Sequence, residues 1–269
     1  MNSPTHRATN EMFFQLVALL LSVIIIHTIY VTVVRPNADS TIRRHAEMAA
    51  AGEEYVVPRS FFIVVKDIEQ ESCFILMFWA LAIMGYKTRT SIREKHMLEL
   101  PLMSIAEGSR VLPDDASQLA RPLQALPDEQ RSYLLPRALQ TALTRFQVTD
   151  SVQFATEAVT NVCDTENDRL DSELSMVRYI TWAIPSIGFI GTVRGIGAAL
   201  GQAHEAMEGN IAGVTSSLGV AFNSTFIALL ISMVVMFFMH QLQLIQERLV
   251  LDSQAYCENK LLRFLKAAK

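Results

Sequence analysis

The sequence predicts an all-α polytopic membrane protein, with about four transmembrane helices and long cytoplasmic helical extensions. Three observations lead there. Its apolar residues are gathered into runs long enough to cross a hydrocarbon core of ~30 Å. Basic clusters flank some of these runs, while the loop between the last two carries no lysine or arginine, which sets an inside and an outside. Between Arg137 and Ile180 neither proline nor glycine interrupts a helical pattern.

Composition agrees. Of 269 residues, 51% are hydrophobic and only 19% are charged, and the mean hydropathy of +0.26 is high for a soluble chain. A net charge of −4 argues against nucleic acid as a partner, which would call for a basic footprint. Cys73, Cys163 and Cys257 lie far apart without CxxC or Cys/His clustering, so neither a disulfide framework nor a zinc site is expected. No nucleophile–base pair, metal constellation or phosphate-binding glycine loop is present. The chain is therefore not read as an enzyme, and no cofactor is expected.

Along the chain, residues 1–11 form a short cytoplasmic N-terminus and 12–34 the first transmembrane helix. The latter is longer than a signal-peptide core and lacks an A-x-A-like cleavage site. His27 and Gln15 sit inside it, where each is expected to bond a neighbouring helix or snorkel, with a proton relay through His27 as the second reading. Residues 35–71 are mixed and polar, are placed on the periplasmic side, and end in the acidic cluster Asp67, Glu69 and Glu71. The second span, 72–86, is short, because its apolar stretch from Cys73 to Tyr86 reaches only ~21 Å as a helix; a re-entrant segment is the alternative. Lys87, Arg89, Arg93 and Lys95 follow at once and read as cytoplasmic.

Residues 87–178 form a cytoplasmic helical domain, punctuated in its first half by Pro101, Pro113, Pro122, Pro127 and Pro136. From about Arg137 to Ile180 one long amphipathic helix is expected to run directly into the third span, 179–203. A periplasmic loop (204–213), a fourth span (214–239) and a basic cytoplasmic C-terminal helix (240–269) complete the layout. Arg35, Arg43 and Arg44 run against this topology, since they follow the first span on the outer side.

The last two spans carry the functional signal. Pro185, Gly188, Thr192, Gly195 and Ala199 fall along one stripe of the third, and Gly191 and Gly195 give the small-x-x-x-small spacing that lets backbones approach closely in lipid. In the fourth, Ser217, Ala221, Ser224 with Thr225, Ala228 and Ser232 line one face. Two such stripes suit a narrow, weakly polar channel or a groove for another helix, and packing alone accounts for the glycines. Neither stripe contains a titratable group, so a proton path here needs a carboxylate from another chain. Arg194 lies about 200° round the helix from Thr192 and is read as an interfacial anchor.

PSIGFIGTVRGI at 185–196 and GVAFNSTFIAL at 219–229 together resemble the two motifs of the MotA/TolQ/ExbB proton-channel family, and the resemblance spans roughly residues 165–245. It implies a channel-forming subunit of an ion-driven motor in the bacterial inner membrane. It further implies five copies around the single membrane helices of two ExbD/TolR/MotB-like partners, whose membrane aspartate carries the ion. That ion is a proton, with sodium as the alternative. On this resemblance Thr192 and Thr225 are the pore-facing threonines, with Ser224 and Ser217 beside them. Gly191 and Gly195 match the family's close-packing glycines and Pro185 its helix-bending proline, while Gly188, Ala221 and Ala228 are packing positions by their place in the stripes. The sequence departs from the family pattern at Val220, Arg194 and Ala228. The four-span layout is closer to MotA and the motifs to ExbB and TolQ. A membrane scaffold that conducts nothing is the rival from a different class.

Overall fold

The computed structural model describes residues 4–50, 60–106, 108–209 and 211–267. Parts of five expected segments lie outside the described residues, namely 1–3, 51–59, 107, 210 and 268–269. The fold is all-α. Four helical stretches, Glu11–His45, Ile68–Glu99, Val152–Gly201 and Ala212–Phe264, are long and apolar enough to cross a membrane. The described residues form no strand beyond an isolated bridge between Val111 and Leu265.

Helix α1 (Pro4–Ile29) passes through a π-helical turn, Tyr30–Val34, straight into α2 (Arg35–Ala50). The wide turn has a local cause. Pro36 follows it, has no N–H and crowds the carbonyl of Thr32. Side chains satisfy carbonyls around the disruption: Thr32 donates to Thr28 O and Asn37 to Val33 O, both at 2.7 Å. After α3 (Phe61–Val65) comes α4 (Ile68–Lys95). Its 28 residues reach ~42 Å, so the apolar stretch from Cys73 to Tyr86 is the middle of a longer helix. Acidic Glu69 and Glu71 sit in its first turn and basic Arg93 and Lys95 in its last, matching the helix dipole at both ends.

The proline-rich stretch gives short helices, α5 (Ala116–Gln124) and α6 (Asp128–Arg131), before α7 (Leu134–Thr149). The single helix expected from Arg137 to Ile180 is broken into three pieces: α7, α8 (Val152–Glu173) and α9 (Ser175–Gly201). The first break is at Asp150, which adopts the left-handed conformation (φ 48°) and donates its N–H to Phe146 O at 2.9 Å. The run Thr149-Asp150-Ser151 offers side chains that compete for backbone hydrogen bonds, and aspartate tolerates the left-handed region. Absence of proline and glycine was therefore not enough to keep the helix whole. At the second break Leu174 N–H bonds Asp171 O at 3.2 Å, a tighter turn that leads almost at once into α9. The short α10 (Ala203–Met207) precedes α11 (Ala212–Lys260), which has 49 residues.

The chain forms two compact units. In the one built on Gly85–Ser175 and His240–Lys269, α7 is the central helix. Leu135, Ala138, Leu139, Ala142, Leu143 and Phe146 are buried at helical spacing, in one core with Val159 and Cys163 of α8 and Cys257 of α11. Buried charges are paired: Glu166 with Arg137 (2.5 Å) and Arg169 (3.1 Å), and Lys87 with Glu173 (2.5 Å). Glu94 accepts the N–H of Leu134 at 3.2 Å, capping α7 from outside. The C-terminal segment closes the unit through backbone bonds of Val111 with Phe264 (2.9 Å) and Lys266 (3.0 Å).

The other unit is built on Ala8–Met84 and Met176–Met239, the helical residues with the most apolar surface. Trp79 Nε1 of α4 donates to Gln15 O of α1 at 2.9 Å, while Phe13, Leu16, Leu20 and Ile24 of α1 are exposed. Exposed apolar side chains on this scale mark surface that meets lipid or protein.

The Asp150 turn gives a first test. Asp150→Val places a β-branched side chain in the left-handed region and should cost about 1–2 kcal/mol, whereas Asp150→Asn should cost less. Thermal unfolding of the detergent-solubilised chain distinguishes them.

Candidate functional site

The two small-residue stripes lie directly against each other. A Cβ added to Gly188 would run into the Ala228 side chain and come within 3.1 Å of Ser224 O. One added to Gly191 would meet Ser224 Cβ at 2.5 Å, and one added to Gly195 would meet the Ala221 backbone N at 2.6 Å and Ser217 O at 2.7 Å. Three glycines on α9 thus admit the backbone of α11, one turn after another. Ala221, Ser224 and Ala228 are the buried residues they receive. Gly197 and Gly201, which have the same small-x-x-x-small spacing, meet nothing within 4 Å. Within one chain the stripes close on each other as a packed seam.

Pro185 explains one polar contact across the seam. Having no N–H, it leaves the carbonyl four residues back, Thr181 O, without its helical donor. Ser232 Oγ of α11 donates to that oxygen at 3.3 Å. In an apolar surrounding a freed carbonyl needs such a partner.

Thr192 and Thr225 meet at the seam, their hydroxyls hydrogen-bonded to each other. Thr192 Oγ1 is also placed to donate to Gly188 O and to Ala221 O, each at 3.2 Å, and Thr225 Oγ1 to Gly188 O at 3.3 Å. Each hydroxyl has one proton and two lone pairs, so the pair makes two of these donations at a time and can exchange among them. Both threonines are half-buried, which leaves their hydroxyls at the edge of the seam. Ser224, by contrast, is buried, donates to Val220 O at 2.8 Å and accepts from Gln70 Nε2 at 3.4 Å. Ser217 lies further along and donates to Gln202 Oε1 at 3.4 Å.

The structure changes the reading of Arg194. It is no free anchor. Its guanidinium forks onto Glu69 of α4, Nε to Oε1 and Nη2 to Oε2 both at 2.7 Å, with Asp67 at 3.9 Å. His27 and Arg35 likewise converge on Glu71, at 2.7 Å and 2.6 Å. The head of α4 therefore brings two buried carboxylates to basic residues of α1, α2 and α9. Glu69 also abuts the seam, since its Cγ would lie 3.1 Å from a Cβ on Gly191. Neither stripe holds a titratable group of its own, but a carboxylate of the same chain thus lies beside them. Glu69, Gln70 and Glu71 were visible in the sequence only as an acidic flank. The usable signal was the pair of isolated basic residues, His27 and Arg194, inside apolar runs, since each needs an acidic partner.

With this geometry in view, comparison with known proteins is decisive on one point. The family model described as the MotA/TolQ/ExbB proton channel family matches residues 119–255, just over half of the chain. The chain belongs to the MotA/TolQ/ExbB proton channel family. No curated protein and no solved structure matches it. The family match takes in the whole α9–α11 seam and all of α7 and α8. Family membership and four apolar helices together make it a multi-pass membrane protein. The head of α4, with Glu69 and Glu71, lies outside the matched region of this MotA/TolQ/ExbB member.

The glycine contacts separate two otherwise similar substitutions. Gly195→Ala pushes a methyl group into the backbone of α11 and should lower stability by about 1–3 kcal/mol. Gly197→Ala enters open space and should leave thermal unfolding of the chain in detergent nearly unchanged.

Proposed function

We propose that this chain is the channel-forming subunit of an ion-driven motor in the bacterial inner membrane, with Thr192 and Thr225 as the polar pair on the ion path. The observation that carries the reading is their mutual hydrogen bond at the edge of the α9–α11 seam, in a member of a proton channel family. Elsewhere along the seam the contacts are tight, which suits a path that conducts little without a partner.

On this reading both termini are cytoplasmic, the four spans are 12–34, 72–86, 179–203 and 214–239, and 35–71 and 204–213 face the periplasm. Five copies surround two single-span partners of the ExbD/TolR/MotB type. Support for assembly comes from the apolar residues left exposed on the two seam helices, among them Trp182, Phe189 and Val193 of α9 and Phe222 and Phe226 of α11.

The partner's membrane aspartate gains and loses the ion, which we take to be a proton rather than sodium. Thr192 and Thr225 donate to that carboxylate when it is charged and turn their protons back to Gly188 O or Ala221 O when it is neutral. This requires only rotation of two hydroxyls. Each proton descending 100 mV releases ~2.3 kcal/mol, enough to bias a movement of the partner. Tight seam packing would also suit a scaffold that conducts nothing, and the experiment below separates the two.

Co-expression with a candidate single-span, Asp-bearing partner should yield a five-to-two complex by native mass spectrometry. Thr192→Val and Thr225→Val should preserve that complex and lower ion flux about ten- to a hundredfold, the loss expected for a hydrogen bond to a charged group. A stable assembly without any such partner would favour the scaffold, whereas full flux in both variants would overturn the assignment of the two threonines to the ion path.

A further inference from the structure

The buried carboxylates at the head of α4 have no part in the function proposed above. Glu69 is buried beside Gly191 and held at both oxygens by Arg194. For packing alone, an apolar pair of similar volume would serve as well or better in this setting. The neighbouring residue supplies a second, independent observation. Gln70 is fully buried (0% exposed), and its Nε2 donates to Ser224 Oγ at 3.4 Å and to Val64 O at 3.2 Å. Its Oε1 is buried and has no hydrogen-bond partner among the described residues. The buried hydroxyl of Tyr30, in the π-helical turn of the helix that pairs with Glu71, is likewise without a partner among them. Buried polar atoms left without partners are where proteins hold water or an ion. π-Helical turns, too, occur often at functional sites.

We infer that Glu69 is an ion-path carboxylate supplied by this chain itself, on the outer side of the threonine pair, with Arg194 as its counter-ion and Gln70 linking it to Ser224. The inference rests on the channel reading. Glu69 takes one proton from the outer aqueous phase, its charge is lost and the ion pair with Arg194 opens. The same proton then leaves towards Ser224 and the threonines, and carboxylate and ion pair re-form, so one proton enters and one leaves in each cycle. The groups that set this exchange are Arg194 from α9, Asp67 with Lys66 from the turn before α4, Cys73 one turn further along α4, and the neutral Ser224 from α11. Glu71 is already engaged by His27 and Arg35 and serves to fix the head of α4.

The test uses Glu69→Gln, Arg194→Gln and the double variant, in the full chain and in its complex with the Asp-bearing partner. Proton flux into proteoliposomes and thermal stability are both read. Arg194→Gln alone should be the least stable, because it leaves a buried carboxylate unpaired, and the double variant should recover wild-type stability. Flux should nevertheless fall about a hundredfold in Glu69→Gln and stay low in the double variant, the scale of a lost proton-transfer group, while Glu69→Asp keeps part of it. In the complex under an imposed proton gradient, an infrared carboxylic-acid band that Glu69→Gln lacks should rise while protons flow. Wild-type flux in the stable double variant, or infrared spectra identical to wild type in Glu69→Gln, would overturn the inference while leaving the channel standing. A wild-type complex that conducts no protons would instead overturn both.

Discussion

Everything in the membrane unit depends on the backbone contact between α9 and α11. Lipid tails are as apolar as leucine, so two helices gain little in the bilayer from hiding apolar side chains from each other. What holds them is close packing and the hydrogen bonds that closeness permits. Gly188, Gly191 and Gly195 remove three successive side chains from the interface, and Ala221, Ser224 and Ala228 are small enough to enter the space. Only at that separation can Thr192 reach Thr225 and Ala221 O, or Ser232 reach the carbonyl that Pro185 leaves free. The glycines and the hydroxyls are thus one device, with spacing set by the first and polarity supplied by the second.

A second constraint is electrostatic and fixes α4. An arginine or a carboxylate among apolar helices is costly unless it finds an opposite charge. Arg194 from α9 takes Glu69, and His27 and Arg35 from the first helix take Glu71. The carboxylates are two residues apart and point about 200° apart around α4, so one helical turn is held from two sides. This also accounts for Arg35, which as an isolated basic residue after the first span fits the positive-inside rule badly but as a partner of Glu71 has a local reason to be there.

Much of this was legible in the sequence, and the parts that were not have definite causes. The helical class followed from apolar run length, and the facing stripes from residue size at helical spacing, because both are local periodic signals. Asp150 ended a helix that no glycine or proline announced, since the signal there is three consecutive residues whose side chains compete for the backbone. The π-helical turn before Pro36 escaped notice because the apolar pattern continues through it. What Arg194 binds is not legible locally, because its partner Glu69 lies 125 residues away in the chain. Periodicity within one helix gives the direction of a side chain, and only the packing of another helix tells what it meets.

That packing bears on why threonine hydroxyls, rather than a charged side chain, occupy the seam on the proposed reading. A fixed charge there would hold an ion too firmly or repel it, and it would need a permanent counter-ion in a space that the glycines have closed. Two hydroxyls with four acceptor contacts among them carry no charge. They can turn towards a carboxylate when it is ionised, where the bond is the stronger one, and towards backbone oxygens when it is not. On the proposed reading they would respond to the moment when a charge arrives, which would tie conduction to the movement that brings it. On the same reading the carboxylates are kept off the seam helices, Glu69 on α4 under Arg194 and the other on the proposed partner. A proton can then pass between them only through groups that cannot store it, which is the condition for coupling the passage to motion instead of letting it leak.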